Sequence, residues 1–336
     1  MIQKSTPSAQ NQRILYWDIA KGIAIMLMIL GHTEAPSIIR AAIFSFHMPF
    51  FIIANGYFIK SYDLKRTFLR SIRTLLIPYI ITCIISAVIY TLLYGNDAQP
   101  ISLFLVKIKA MVGGMSKIST RFQTFDSVWV VWFVCALFIT RNLYIGIMSI
   151  FEDRIWIAFG IMGLLVYLGY WIGINYAFLP WSLDVALVSL VFMATGDWMH
   201  RKNYFEKNRI YIFVLPLISW IGIMVIFRCY IELAMRSYPF GIISILEAIA
   251  GSIVLISFSK YAERFQWFSK IFSWIGERSM IILGIHCIEL MYFNWEKYIF
   301  SYFPFEMNWA SLFLVKSIVI LLITYVISIL TTYVRQ

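Results

Sequence analysis

Apolar residues run along this chain in stretches too long and too continuous for the buried face of a surface helix. Ten such runs are separated by short polar segments: Ile14–Gly31, Ala41–Ile59, Leu75–Tyr94, Val128–Leu143, Ile155–Trp171, Leu183–Trp198, Ile210–Phe227, Phe240–Ser259, Ser279–Phe293 and Ala310–Val334. Crossing the hydrocarbon of a bilayer takes roughly 20 residues of helix, and helices apolar on all sides are those enclosed by lipid and other helices. The pattern therefore predicts an all-α, polytopic membrane bundle of about ten transmembrane helices. The ninth run is short unless it recruits Ile271–Gly276 across Glu277 and Arg278. The tenth carries Lys316, expected to face protein or snorkel rather than face lipid. The first carries Asp18 and Lys21, and no small-residue cleavage site follows it, so it reads as a helix and not as a cleaved signal peptide. Residues 1–13 are expected to be a disordered cytoplasmic N-terminus, and residues 14–334 a single transmembrane domain with no appended soluble domain. The longest loop, Gly95–Ser127, is too poor in apolar residues for a core of its own and is expected to fold back over the bundle.

Composition sharpens this picture. Of 336 residues, 61% are hydrophobic and 13% charged, against about 25% charged in globular domains. That excludes a soluble enzyme, a disordered tail and a nucleic-acid-binding module. The net charge of +11 is explained by topology: with the N-terminus inside, 18 Lys and Arg fall in cytoplasmic segments and 8 in outside ones. This bias places both termini in the cytoplasm and removes nucleic acid as a partner. Cys83, Cys135, Cys229 and Cys287 lie in or beside apolar runs without metal-ligand spacing, so neither a disulfide framework nor a metal site is expected.

With so little charge available, the first helix stands out. Tyr16–His32 reads YWDIAKGIAIMLMILGH. Lys21 and His32 are eleven residues apart, about three turns, which puts them on one face roughly 16 Å apart along the axis. Asp18, one turn before Lys21, joins the same stripe. Ionisable residues within a span are functional candidates by default. The bland alternative is a Lys21 that snorkels beside Asp18 and a His32 that caps the helix. In the second run, FSFHMPFFIIANGYF places His47 near the end where His32 emerges, and Asn55, Gly56 and Tyr57 near the opposite one. A histidine satisfied by backbone next to Pro49 is the bland reading there. The loop that follows ends KRTFLRSIRTLLIPY; Arg70 and Arg73, three apart, are expected to share a helix face suited to phosphate oxygens. Ordinary positive-inside bias is the alternative.

These pieces, in this order, resemble the acyltransferase-3 family of integral-membrane acyltransferases, and most closely its fucose 4-O-acetylase-like, surface-polysaccharide O-acetyltransferase branch. The resemblance rests on Lys21 and His32 in WDIAKGIAIMLMILGH, on FHMPFFIIANGYF, and on the basic loop that runs through Arg70 and Arg73 into Pro78. Weaker matches are Trp132-Phe133 in SVWVVWFVCALF, Asp184 in LDVALVSL and His286 in SMIILGIHCIEL. Lys21 stands where much of the wider family has Arg, and Asn55 where it has Ser, so no hydroxyl role is expected at position 55. The resemblance implies an acetyl-CoA-dependent O-acetyltransferase of the bacterial cytoplasmic membrane, acting on a carbohydrate or lipid-linked oligosaccharide and using no metal. It implies catalytic roles for His32, Lys21, Asp18 and His47. Acetyl-CoA is then expected at Lys21, Arg70, Arg73 and Tyr57, and the acceptor at Asp184, His286 and Trp132. His32 would act as general base or carry an acetyl-imidazole. Glu34 and Glu289 read as solvated residues at loop edges. Another acyl group or acceptor, and a flippase for lipid-linked sugars, are the competing functions.

Overall fold

The computed structural model describes residues 14–95, 99–118, 125–206, 209–227, 230–302 and 307–333. The expected N-terminal tail lies outside the described residues, as do Cys229, Arg121 and Arg228. The architecture is all-helical. The first six α-helices are α1 (Leu15–Gly31), α2 (Ser37–Phe44), α3 (His47–Tyr57), α4 (Leu64–Ser71), α5 (Ile77–Tyr94) and α6 (Pro100–Gly113). The next five are α7 (Trp132–Phe151), α8 (Ile155–Asn175), α9 (Leu183–Val188), α10 (Leu190–Arg201) and α11 (Tyr211–Phe227). The last are α12 (Ile242–Ala262), α13 (Gln266–Glu277), α14 (Ser279–Tyr292), α15 (Trp295–Tyr298) and α16 (Trp309–Tyr333).

Five stretches among the described residues are long and apolar enough to cross a membrane, or seven if each of two bent pairs is one span. Several of the apolar runs are interrupted or bent along the described backbone. The second run turns at Phe46, where φ is −138°, between α2 and α3, which together still make one of the five candidates, Ser37–Tyr57; Pro49 lies in the first turn of α3, where its missing N–H costs no helical bond. The pair α13 and α14 bends by 68°, and α9 with α10 by 51°. α1 and α11, at 17 residues each, fall just short. Between α4 and α5 the chain winds as a π-helix over Ile72–Leu76.

The segment from Gly95 to Ser127 carries α6, which lies on the bundle. Tyr79 donates its hydroxyl to the Met111 carbonyl at 2.6 Å, Trp181 donates to Val112, and Met115 is fully buried.

Two helix pairs are held backbone to backbone. A Cβ built on Gly22 of α1 would overlap the Phe272 carbonyl of α13, and one on Gly276 would overlap the Asp18 carbonyl of α1. The pair α3 and α10 repeats the device: Gly56 meets the Met193 carbonyl and Gly196 the Ile53 carbonyl. Inside a bilayer lipid is as apolar as Leu, so helix association rests on such close packing. Near the end of α10, Asp197 Oδ2 accepts from Tyr62 at 2.6 Å, Tyr144 at 2.7 Å and Arg201 at 3.1 Å, tying α7 and the turn before α4 to the α3–α10 pair.

Gly276→Ala should therefore destabilise the protein by about 1–3 kcal/mol through overpacking, read as a lower melting temperature in detergent. Gly163→Ala, at a site with nothing within 4 Å of the new methyl, should leave the melting temperature unchanged or raise it.

Candidate active site

α1 presents its polar residues in two groups separated by an apolar interval. Lys21 Nζ donates to Asp18 Oδ1 at 3.2 Å and stands 5.2 Å from the Phe58 ring centroid. Three turns on, His32 caps the helix, and its Nδ1 lies 2.8 Å from the Met28 carbonyl oxygen. A carbonyl only accepts, so Nδ1 carries the hydrogen and Nε2 keeps its lone pair. His47, at the start of α3, is arranged identically on the Ile43 carbonyl at 2.9 Å. Both imidazoles thus have their tautomers set by backbone, with Nε2 basic.

Two cavities meet behind these residues. One, of 550 Å³, is lined by Asp18, Lys21, Asn55, Arg70, Arg141 and Glu277 among others. The second, of 870 Å³, is lined by His32, Glu34, Arg40, His47, Trp132 and Glu232 among others. Met28, Met48 and Leu283 line both. The two spaces are therefore back to back, divided by three flexible apolar side chains, with Lys21 on one side and His32 on the other. The first has a surplus of cations. Arg141 Nε is buried with no hydrogen-bond partner among the described residues, and Arg70 lines the same cavity. A buried donor left unpaired is costly.

Behind His32 lies a second imidazole. The ring centroids of His32 and His286 are 5.2 Å apart, with the ring planes at 66°. His286 Nδ1 is 2.8 Å from Glu289 Oε2, while Glu289 Oε1 accepts from Lys316 Nζ at 2.7 Å and Trp295 Nε1 at 2.5 Å. Glu289 accepts the Nδ1 hydrogen together with the bonds from Lys316 and Trp295, and His286 Nε2 remains a buried lone pair without a partner among the described residues. Glu289 is only 8% exposed, which overturns its reading as a solvated loop-edge residue: the chain doubles back after α14 and lays Trp295 over it. Lys316 faces protein, as expected.

The remaining sequence-derived residues are spread more widely. Arg70 and Arg73 are both exposed; Arg70 lines the Lys21 cavity, and Arg73, within the π-turn Ile72–Leu76, does not. Tyr57 lies in neither cavity but packs on Trp17 at 4.5 Å and His200 at 5.0 Å. Asp184 is buried in an ion pair with Arg236 at 3.1 Å, away from both spaces. Trp132 lines the His32 cavity. Arg141, one of the 18 cations that the charge bias assigns to cytoplasmic segments, falls inside the apolar run Val128–Leu143, and that position is the signal for it in the sequence. In the outer wall of the His32 cavity, burial raises the Glu232 carboxyl above its usual range, and the charges of Arg40 and Lys117 oppose the rise. Trp129, also in that wall, holds a left-handed φ of 53°, a conformation that costs a non-glycine residue about 1–3 kcal/mol and concentrates at functional sites.

Comparison with known proteins gives this geometry a family. The chain is 27% identical over 168 residues to nodulation protein NolL of Mesorhizobium japonicum, a match covering 46% of this chain and 41% of that protein. It is 28% identical over 155 residues to nodulation protein NolL of Sinorhizobium fredii, covering 42% and 39%. The chain thus spans about two fifths of the length of these curated relatives. No solved structure matches. The acyltransferase domain family matches residues 14–333. That is nearly the whole chain, and the protein belongs to the acyltransferase-3 family of membrane acyltransferases.

Proposed function

We propose that this protein is a membrane-bound O-acetyltransferase that takes acetyl groups from cytoplasmic acetyl-CoA and delivers them to a hydroxyl of a cell-surface polysaccharide or its lipid-linked sugar precursor. In this reading the Lys21 end of the bundle faces the cytoplasm, both termini lie there, the weaker apolar helices complete about ten spans, and the membrane is the bacterial cytoplasmic membrane. The observation that carries the proposal is the pair of back-to-back cavities: one cationic, one lined by histidines, meeting at Met28, Met48 and Leu283.

The chemistry follows from the residues. The phosphates of coenzyme A match Arg70 and Arg141, neither of which has an ion pair among the described residues; Lys21, already balanced by Asp18, closes the wall. The long pantetheine arm is thin enough to pass between two methionines, whose unbranched side chains yield easily. The thioester then arrives beside His32. His32 Nε2, its lone pair fixed by the Nδ1–H bond to Met28, removes the proton of an acceptor hydroxyl as the oxygen attacks the thioester carbonyl. Collapse of the tetrahedral adduct expels the coenzyme A thiolate, which takes that proton back from His32. His286, oriented by Glu289, offers an acceptor lone pair to the transiently cationic His32. The exposed indole of Trp129 gives the acceptor a flat apolar surface at the cavity mouth. A flippase would need no acyl donor, and the unpaired Arg141 favours a donor-binding enzyme.

His32→Ala should lower kcat by about 10²–10⁴-fold, the usual contribution of a positioned acid–base group, with membrane insertion intact. Undiminished acetylation of the acceptor by this variant would remove His32 from the mechanism. On the donor side, Arg70→Ala and Arg141→Ala should each raise the KM for acetyl-CoA by about 10–100-fold, the effect of one lost charge-assisted hydrogen bond. Arg73→Ala should not. Equal effects at all three positions would mean that the cavity does not hold the donor.

A further inference from the structure

Part of the outer wall of the His32 cavity is a tight hairpin. The Glu232 N–H donates to the Ser237 carbonyl and the Ser237 N–H to the Glu232 carbonyl, each at 3.0 Å, and Glu232, Leu233, Ala234 and Met235 line the cavity. Within the hairpin Arg236 holds a φ of 56°. Four of the five non-glycine residues in that left-handed region among the described residues fall here: Trp129 and Arg236 in the two wall segments, Trp181 and Ser182 in the connection that leads into α9. Such backbone persists only where its surroundings over-determine it, and side chains of that connection supply the hold. Arg236 Nη1 donates to Asp184 Oδ2 at 3.1 Å and to the Tyr176 carbonyl at 3.0 Å, and its guanidinium carbon lies 3.6 Å from the Phe178 ring centroid. The Arg236 and Asp184 side chains are 10% and 1% exposed. Parting so enclosed a pair would leave a charge out of water, so the hairpin is firmly fastened to the start of α9.

Three carboxylates line the cavity, and they are not equivalent. Glu34 is exposed, and Asp126 is committed to Lys107 at 2.6 Å and to the Ser127 N–H at 2.7 Å. Glu232 is half-buried, and its carboxylate has no hydrogen bond or ion pair among the described residues. An ionised carboxylate offers two acceptor oxygens and no donor, and hydroxyl groups are the donors that complement it.

We propose that Glu232 binds the acceptor in the His32 cavity by accepting hydrogen bonds from its hydroxyls, and that Asp184 is a positioning residue that holds Glu232 in place through Arg236. This rests on the acyltransferase reading above. It gives Asp184 a different part from the acceptor contact implied by resemblance, because Asp184 lies away from the cavity and meets its wall through the Arg236 guanidinium.

The test uses the full-length protein in lipid nanodiscs with radiolabelled acetyl-CoA. The acceptor is surface polysaccharide from a strain deleted for this chain, freed of O-acetyl groups by mild alkali. Glu232→Ala should raise the KM for the polysaccharide by about 10–100-fold, the effect of losing hydrogen bonds to a charged group, and leave the KM for acetyl-CoA as in wild type. Asp184→Asn should raise the same KM by about tenfold. Phe178→Leu, a milder loosening of Arg236, should raise it by about threefold, the effect of one lost cation–π contact. With Glu232 already replaced by Ala, neither change should raise it further, since a residue that acts through Glu232 then has nothing to position. Asp197→Asn, at another buried carboxylate that ties different helices together, should leave that KM unchanged. Increases that persist in the Glu232→Ala background, or that Asp197→Asn shares, would make the ion pair a general structural support and overturn the proposal. So would an unchanged KM in Glu232→Ala. Hydrogen exchange reads the fastening without turnover: amides of residues 231–238 should exchange about tenfold faster in Asp184→Asn and Phe178→Leu than in wild type, and unchanged exchange in both would also overturn it. Absence of transfer by wild type would instead refute the acyltransferase reading, and exchange at 231–238 would still decide whether Asp184 holds the hairpin.

Discussion

Everything in this molecule depends on keeping α1 away from lipid. A helix that carries an acid, an ammonium and an imidazole is tolerated in a membrane only when its polar face is covered by protein or lines a polar cavity. The cover comes from the closest helix contact available, backbone on backbone at Gly22 and Gly276, because no hydrophobic force draws helices together in hydrocarbon. That contact fixes α1 against α13. The bend after α13 then carries α14 past the other end of α1, which sets His286 against His32. The same device at Gly56 and Gly196 anchors α3, and with it His47, Met48 and Asn55, across the two cavities. Four glycines therefore position groups that are far apart in the chain.

A consequence is that the two cavities share their dividing residues. Met28 comes from α1, Met48 from α3 and Leu283 from α14, three helices whose relative placement the glycine contacts and the α13–α14 bend determine. Charge is sorted by the same partition: Arg70 and Arg141 lie on one side, and the backbone-oriented imidazoles on the other. An ionic, water-soluble donor and a hydroxyl-bearing acceptor could approach from opposite ends without sharing a compartment until the acyl group is handed over.

How much of this could be read in the sequence depended on how local the cause was. The Asp18, Lys21 and His32 stripe was legible because helical periodicity alone puts those residues on one face, and because charge is scarce elsewhere. Lys316 was legible for the same reason, since a cation deep in an apolar run needs protein beside it. Glu289 was not: its burial depends on Trp295, brought back by a turn beyond the end of α14. Arg70 and Arg73, expected on one helix face, are separated by the start of the π-helix at Ile72, and Arg70 lines the Lys21 cavity while Arg73 does not. Tyr57, assigned to the donor by resemblance, sits in an aromatic cluster with Trp17 and His200. Gly56, beside it in the same motif, serves the α3–α10 contact. Arg141 was overlooked because topology already explained a cation at a helix end. Continuous apolarity did not show the bends in α9–α10 and α13–α14, tertiary features that leave each pair at membrane length only when taken as one span.

The central claim is that donor and acceptor occupy opposite cavities and meet at His32. A cryo-electron microscopy map of the protein with a non-hydrolysable thioether analogue of acetyl-CoA tests it most directly. The account predicts phosphate density against Arg70 and Arg141, with the pantetheine arm passing between Met28 and Met48 so that the acyl end stops beside His32. Nucleotide density in the cavity of Glu34, Arg40 and Glu232 would contradict it.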